Sequence, residues 1–262
     1  MTTAVLVAVG VLGLVVGSFL NVVIARVPAG ESVVRPGSHC RSCRVAIPAY
    51  HNVPIVSWIV LRGRCHRCRA PISVRYPLVE AATAGLLVAV AARIGATAAL
   101  PAFLYLGAIT VALAVIDAEV RRLPDAIVLP SYLVAATLLV AAGVGQADWW
   151  PAVRGFVAMA ALLAGYLALA VSYPGGIGFG DVKLAGLLGL YLGWLGWNAV
   201  LIGTFAGFLL GAGAGVAMMA TGRAGRRTAI AFGPYMLAGA LLALFASGPI
   251  ATWYISMINP TF

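Results

Sequence analysis

Long apolar runs, each closed by a short polar turn, succeed one another along most of this chain. A helix needs about 20 apolar residues to cross about 30 Å of hydrocarbon. Such runs fall at residues 3–25, 78–95, 99–117, 126–144, 152–172, 182–200, 201–220 and 229–248. The pattern predicts an all-α fold, a polytopic bundle of about eight transmembrane helices. The sixth and seventh runs are barely separated, and Gly193, Trp194, Gly196 and Trp197 mark where they would fuse or shorten. The first run stands where a signal peptide would. Met1 to Val5 carries no basic residue, however, and Gly17-Ser18-Phe19-Leu20-Asn21 makes a poor cleavage site, so it reads as a retained helix.

One long polar stretch interrupts the runs and suggests three parts: a first transmembrane helix at 1–25, a cytoplasmic four-cysteine loop domain at 26–77, and a transmembrane core at 78–262. Composition agrees, since a chain 63% hydrophobic and 9% charged cannot cover a water-facing globule with polar surface. Charge then orients it. Arg26, Arg35, Arg41, Arg44, Arg62, Arg64, Arg67, Arg69 and Arg75 crowd the interrupting stretch, whose only acid is Glu31. Lys and Arg accumulate in loops that stay in the cytoplasm, which puts the N-terminus outside. Arg121, Arg122, Lys183, Arg223, Arg226 and Arg227 fall at inside turns on the same count, leaving Arg93 and Arg154 near outer ends. The net charge of +10 thus reflects orientation and attraction to anionic lipid headgroups. No basic stripe with interleaved aromatics points to nucleic acid.

Within that topology two of the seven acidic residues occupy costly places. Asp117 closes the third run after Val111-Ala112-Leu113-Ala114-Val115-Ile116, and Asp181 opens the sixth after Gly175-Gly176-Ile177-Gly178-Phe179-Gly180. Two helices intervene, so both face the cytoplasmic side. If the two ends pack together, a water held between the carboxylates gives an aspartic hydrolase, in which one carboxyl keeps a proton. Plainer roles exist. Asp181 could be a helix N-cap, Asp117 could pair with Arg121 or Arg122, Asp125 looks like an N-cap, and Glu119 reads as a solvated turn residue. The glycines of Gly176-x-Gly178-x-Gly180 resemble a nucleotide loop only weakly, because no strand precedes them; close approach of an extended peptide suits them better.

Cys40 and Cys43 form one C-x-x-C pair, and Cys65 and Cys68 another; these are all the cysteines. In a reducing compartment they should remain thiols, and the spacing fits a structural zinc held by four thiolates, with a redox dithiol as the alternative. His39 and His66 adjoin the pairs and could substitute. Zinc would supply the stability that this polar loop cannot gain from apolar burial. In the seventh run, Gly203, Gly207, Gly211 and Gly215 form a small-residue ridge suited to close packing, more often with the protein's own helices than with a bound one. Phe232-Gly233-Pro234-Tyr235 opens the last helix near the same membrane face.

Taken together these residues resemble the prepilin peptidases, the type IV leader peptidase family of membrane aspartic proteases. The matching segments are Gly17-Ser18-Phe19-Leu20-Asn21-Val22-Val23 ahead of Arg26, the two C-x-x-C pairs, Arg75-Tyr76-Pro77-Leu78-Val79-Glu80, Ile116-Asp117 with Leu123-Pro124-Asp125, Gly178-Phe179-Gly180-Asp181-Val182-Lys183, and Phe232-Gly233-Pro234-Tyr235. The resemblance implies that Asp117 and Asp181 are the catalytic pair and selects Asp117 over Asp125. Glu119 departs from the family, where many relatives have a second aspartate. The implied substrates are prepilins and pseudopilins, whose basic leader is removed at the cytoplasmic face of the bacterial inner membrane. Members with the cysteine loop usually also methylate the new N-terminal amine from S-adenosylmethionine. That cofactor is therefore implied here, with no address given by spacing. Glu80 and Asn21 border the loop, and helix-end solvation explains either as well as a polar role.

Two other classes compete. A proton-coupled transporter would place its acids near the bilayer midplane between repeated halves, and no such repeat is evident. A non-catalytic zinc-binding assembly protein leaves the aspartate pair unexplained.

Overall fold

The computed structural model describes residues 1–173, 176–222 and 231–258. Gly175, Arg223, Arg226 and Arg227, which entered the reading of the glycine turn and of the topology, lie outside the described residues. The described chain is helical: α1 (Thr3–Arg26), α2 (Val56–Val60), α3 (Arg75–Ile94), α4 (Leu100–Val120), α5 (Asp125–Gln146), α6 (Trp150–Ser172), α7 (Phe179–Leu195), α8 (Trp197–Ala220) and α9 (Gly233–Ile258), with a 3-10 turn at Ala49–His51. Seven of these helices, all the long ones except α7, are long and apolar enough to cross a membrane. This is a multi-pass membrane protein, and its apolar runs became helices almost where the hydropathy placed them. The chain divides into two compact units, Met1–Ala112 and Leu113–Phe262.

In the first unit α1 lies along α3. Glycines on α1 make the approach close: a methyl on Gly13 would stand 2.6 Å from Ala84 Cα, and one on Gly17 would stand 2.7 Å from Glu80 Cα. Val9, Leu87 and Ala91 are buried at the contact, with Leu6, Val88, Leu100 and Leu104 packed around them. The loop between the two helices starts by wrapping the end of α1. The Arg26 guanidinium donates to the carbonyls of Ser32 at 3.0 Å, Pro36 at 2.7 Å and Gly37 at 3.3 Å. Further on, the Trp58 indole N–H donates to the Ile72 carbonyl at 3.1 Å and ties α2 to the second cysteine pair.

The second unit is organised around α7. Every residue from Leu184 to Trp194 is buried, because α5, α6, α8 and α9 all pack on this helix. The α6–α7 contact is again made by glycines: a methyl on Gly189 would meet the Ala158 carbonyl oxygen at 2.6 Å, and one on Gly193 the Arg154 carbonyl oxygen at 2.7 Å. Arg154, expected only as a basic residue at an outer end, donates to the Gly193 and Trp194 carbonyls at 2.6 and 2.7 Å. It therefore satisfies acceptors that the last turn of α7 leaves open.

The sixth and seventh runs do not fuse. The sixth is shortened to 17 residues and stops at Gly196, whose φ of 143° suits a residue without Cβ, and α8 begins at the next position. The glycine ridge on α8 packs the protein's own helix. Gly203 and Gly207 lie against Gly239 and Met236 of α9, and Gly211 against Phe232. On the opposite face of α8, Leu201, Phe205 and Leu209 are exposed, as residues facing lipid would be.

Candidate active site and metal centre

Asp117 and Asp181 both belong to the second unit. Asp117 is in the last turn of α4 and only 4% exposed. Its Oδ2 accepts the Gly233 N–H at 3.0 Å. The glycine is needed there, because a methyl at position 233 would stand 2.7 Å from that oxygen and 3.3 Å from Leu123 Cδ2. Arg121 does not pair with the carboxylate: its backbone N–H bonds to the Asp117 carbonyl at 2.8 Å, continuing the helix. Glu119 is exposed in the same turn.

Asp181 is the third residue of α7, not its N-cap, which is Gly178. Its Oδ2 accepts the Gly178 N–H at 3.2 Å, so the carboxylate still satisfies a backbone donor at the helix start. Leu123, in the turn between α4 and α5, links the two aspartates' surroundings. It fills the space beside Gly233, and a methyl on Gly180 would lie 3.2 Å from its Cβ. Asp117 and Asp181 lie within electrostatic range of each other, and Asp181 lies within range of the buried Tyr166 of α6. Tyr166 stacks on Phe208 with ring centroids 5.4 Å apart, and Phe208 meets Phe232 at 5.4 Å, so an aromatic ladder runs from beside Asp181 to the residue preceding Gly233.

Asp125 is not an N-cap either. Pro124 caps α5, Asp125 is its first residue, and its carboxylate receives Lys183 Nζ at 2.7 and 2.8 Å. That pair ties the start of α5 to the start of α7 two residues beyond Asp181. The Tyr132 hydroxyl adds a second tie, donating to the Lys183 carbonyl at 2.5 Å.

The four cysteines come together in the first unit. Their Sγ atoms all lie within 4.8 Å of one another, and those of Cys40 and Cys68 are 3.7 Å apart. The two pairs are built alike. Cys40 N–H bonds to the Val45 carbonyl and Cys65 N–H to the Ala70 carbonyl, both at 2.9 Å; Ile47 N–H reaches Ser38 at 2.8 Å and Ile72 N–H reaches Gly63 at 2.7 Å. Arg44 and Arg69 turn each knuckle with φ of 57° and 60°. The amides of Cys43 and Ser42 point at the Cys40 sulfur and hold its thiol down to about 6. Those of Cys68 and Arg67 lower Cys65 likewise. The Ala70 amide also pulls on Cys68, but desolvation and the three facing sulfurs outweigh it and push that thiol up to about 11. Neither neighbouring histidine joins the cluster: His39 Nδ1 meets the Gly37 carbonyl at 2.9 Å, and the His66 ring faces His51 at 4.8 Å. Four sulfurs so placed are able to hold one metal ion.

This pairing of a four-cysteine unit with an aspartate-bearing helical unit recurs in known proteins. Residues 11–94 match the bacterial peptidase A24 N-terminal domain, and residues 103–216, which include both aspartates, match the type IV leader peptidase family. A prepilin leader peptidase/N-methyltransferase of Burkholderia pseudomallei (strain 1026b) is 35% identical over 272 residues, covering 91% of this chain and 84% of the relative. The chain belongs to the type IV leader peptidase family. A similarly named protein of Aeromonas hydrophila is 36% identical, covering 93% of this chain and 91% of its own. One from Myxococcus xanthus (strain DK1622) is 42% identical over 83% of this chain, which spans 64% of that relative's length. No solved structure matches.

Within this leader peptidase family member, sequence reasoning singled out both aspartates and the four cysteines that cluster, but not what surrounds them. The Gly233 amide reaches Asp117, Leu123 reaches the glycines beside both aspartates, and Lys183 reaches Asp125, all only through packing. The one available signal was that Gly233, Leu123 and Lys183 stand in motifs of the family.

Proposed function

We propose that this chain is a prepilin leader peptidase that cuts the basic leader from prepilins and pseudopilins and methylates the new N-terminus. The observation that supports the peptidase half is that Asp117 and Asp181 lie within electrostatic range of each other inside one helical unit, with Leu123 packed against the glycine beside each. Two carboxylates that hold one water between them share one proton, because like charges at short range cannot both ionise. The ionised member takes a proton from water, the protonated member hydrogen-bonds the scissile carbonyl, and the water oxygen attacks the carbonyl carbon. A proton then passes to the departing amide nitrogen, and the carbon–nitrogen bond breaks. The Gly233 N–H fixes one oxygen of Asp117, and the Gly178 N–H fixes one of Asp181, so each presents its other oxygen to the substrate.

The arginines of the cysteine loop support a site at the cytoplasmic face of the inner membrane, with the N-terminus outside. That side holds the basic leader of the substrate class. The cysteine cluster suits zinc: Zn–S bonds of about 2.3 Å at tetrahedral angles set sulfurs about 3.8 Å apart, and Cys40 and Cys68 are 3.7 Å apart. Cys40, Cys43, Cys65 and Cys68 would hold the ion, which would add stability to the loop that the two knuckles form. S-adenosylmethionine, when bound, supplies an electrophilic methyl group for the freed amine.

The test is incubation of purified protein in detergent with a prepilin-like peptide. Leader release by the wild type, lost in both Asp117→Asn and Asp181→Asn, is the expected result; normal cleavage by both variants would sink the assignment. Mass spectrometry of the product with S-adenosylmethionine should add one methyl.

A further inference from the structure

The α1–α3 contact buries two polar side chains that peptide cleavage does not use. Asn21 is 2% exposed and spends its amide hydrogens on the carbonyls of Gly17, at 3.3 Å, and Tyr76, at 3.1 Å. Its Oδ1 is buried and has no hydrogen-bond partner among the described residues. A buried acceptor left open costs about 1–3 kcal/mol, so its retention calls for an account. Glu80 is 6% exposed; its Oε2 accepts the Ile55 N–H at 2.7 Å, and the Ser18 hydroxyl also bonds to the carboxylate. A carboxylate offers about four lone-pair sites, and two donors leave about half of them open. Among the described residues no cation pairs with Glu80.

The two groups lie about one helical turn apart on the same α1–α3 contact. Gly17, whose carbonyl Asn21 holds, backs onto Glu80 Cα; Tyr76, the other carbonyl, lies one turn before Glu80 on α3. The Glu80 backbone stands about 7 Å along α3 from Arg75 at the helix start, and its buried carboxylate meets the loop at Ile55. An acid only 6% exposed beside an apolar helix contact is expensive unless something positive meets it. Open oxygens and one negative charge, with no spare donor, select a guest that brings N–H donors and positive charge. A single carboxylate is a poor cage for a divalent ion, which takes several oxygen ligands. A primary ammonium offers three donors on a compact cation.

We infer that Asn21 Oδ1 and the Glu80 carboxylate bind a primary ammonium group, that of the amino-acid end of S-adenosylmethionine or that of the newly exposed N-terminus of the cleaved chain. The inference rests on the methyl-transfer half of the proposed function, since both ammonium groups belong to that reaction. Glu80 also tethers Ile55, held at φ 61°, so the informative substitution is Glu80→Gln, which keeps an acceptor for that N–H and removes the charge.

The experiment uses the full chain in detergent and equilibrium dialysis with two probes: S-adenosylhomocysteine, which carries the ammonium without a transferable methyl, and a peptide beginning at the residue after the cut, with its amine free or acetylated. Wild type should bind at least one free-amine probe, and Glu80→Gln should weaken it tenfold or more; Asn21→Ala, which leaves the Glu80–Ile55 bond in place, should weaken the same probe. Loss confined to S-adenosylhomocysteine assigns the methyl donor, and loss confined to the free-amine peptide assigns the N-terminus. Metal content of the cysteine loop reports that each variant is folded, and if one variant loses its metal the other decides. Equal binding by wild type and the folded variant, or no binding of either probe by wild type, overturns the site. Leader cleavage in the same preparations keeps the readings apart: a wild type that cleaves but binds neither probe removes only the ammonium site, whereas one that fails to cleave removes the peptidase reading.

Discussion

The Gly233 amide donates to Asp117 Oδ2 at 3.0 Å, joining residues 116 positions apart. Gly233→Ala would set a methyl 2.7 Å from that oxygen, so the carboxylate must turn or α9 must retreat. A misplacement of about 1 Å at reacting groups is worth about a hundredfold in rate. Cleavage by Gly233→Ala should fall by one to two orders of magnitude while helix content by circular dichroism stays at the wild-type level. Wild-type turnover would show that the amide does not position Asp117.

Asp181 has two separable jobs. Asn at this position still offers an oxygen to the Gly178 N–H, whereas Ala does not. Asp181→Asn should abolish cleavage with a melting temperature close to wild type. Asp181→Ala should abolish it and also lose about 1 kcal/mol of stability, the usual worth of a helix-start hydrogen bond. Thermal melts of the two variants side by side check this.

The thiols should react unequally once the metal is removed. At pH 7.5 Cys40, held down to about 6, lies above its midpoint and is mostly thiolate, while Cys68, pushed up to about 11, lies far below its own and stays protonated. The thiolate is the nucleophile. Iodoacetamide labelling of chelator-treated protein, read by peptide mass spectrometry, should therefore modify Cys40 well before Cys68, although Cys68 is the more exposed. Raising the pH toward 11 should erase the difference, and loading with zinc should suppress both.

The α6–α7 contact should tolerate no side chain at Gly189. A methyl there already meets the Ala158 carbonyl at 2.6 Å, so Gly189→Leu must part the two helices around a helix that is buried on every side. A loss of several kcal/mol is expected, seen as aggregation or a large drop in melting temperature. Gly213→Leu serves as the control, because nothing lies within 4 Å of a methyl at that position.

How much of this was legible in the sequence depends on the range of each cause. Helix positions follow from local hydropathy, and α1, α4, α5 and α8 lie within a few residues of their apolar runs. The cysteine cluster was legible because two C-x-x-C pairs can satisfy one ion. Asp125 was misjudged: the turn pattern Leu123-Pro124-Asp125 suggests a cap, but Pro124 occupies that position and Lys183, 58 residues away, takes the carboxylate. The shortening of the sixth run is a backbone event at Gly196, and hydropathy does not register it. The Gly233 amide and the open oxygen of Asn21 are set by packing between helices, which one-dimensional periodicity does not encode.

Among the described helices, α7 alone is buried without interruption from Leu184 to Trp194, and its 17 residues rise about 25 Å, less than the about 30 Å of a hydrocarbon core. Bilayer thickness acts on helices through the surface they show to acyl chains, by tilting or stretching them. A helix sheathed in protein is exempt. Moving this enzyme between thin and thick membranes will retilt its outer helices first, and the aspartate at the head of α7 will keep its depth relative to its immediate neighbours.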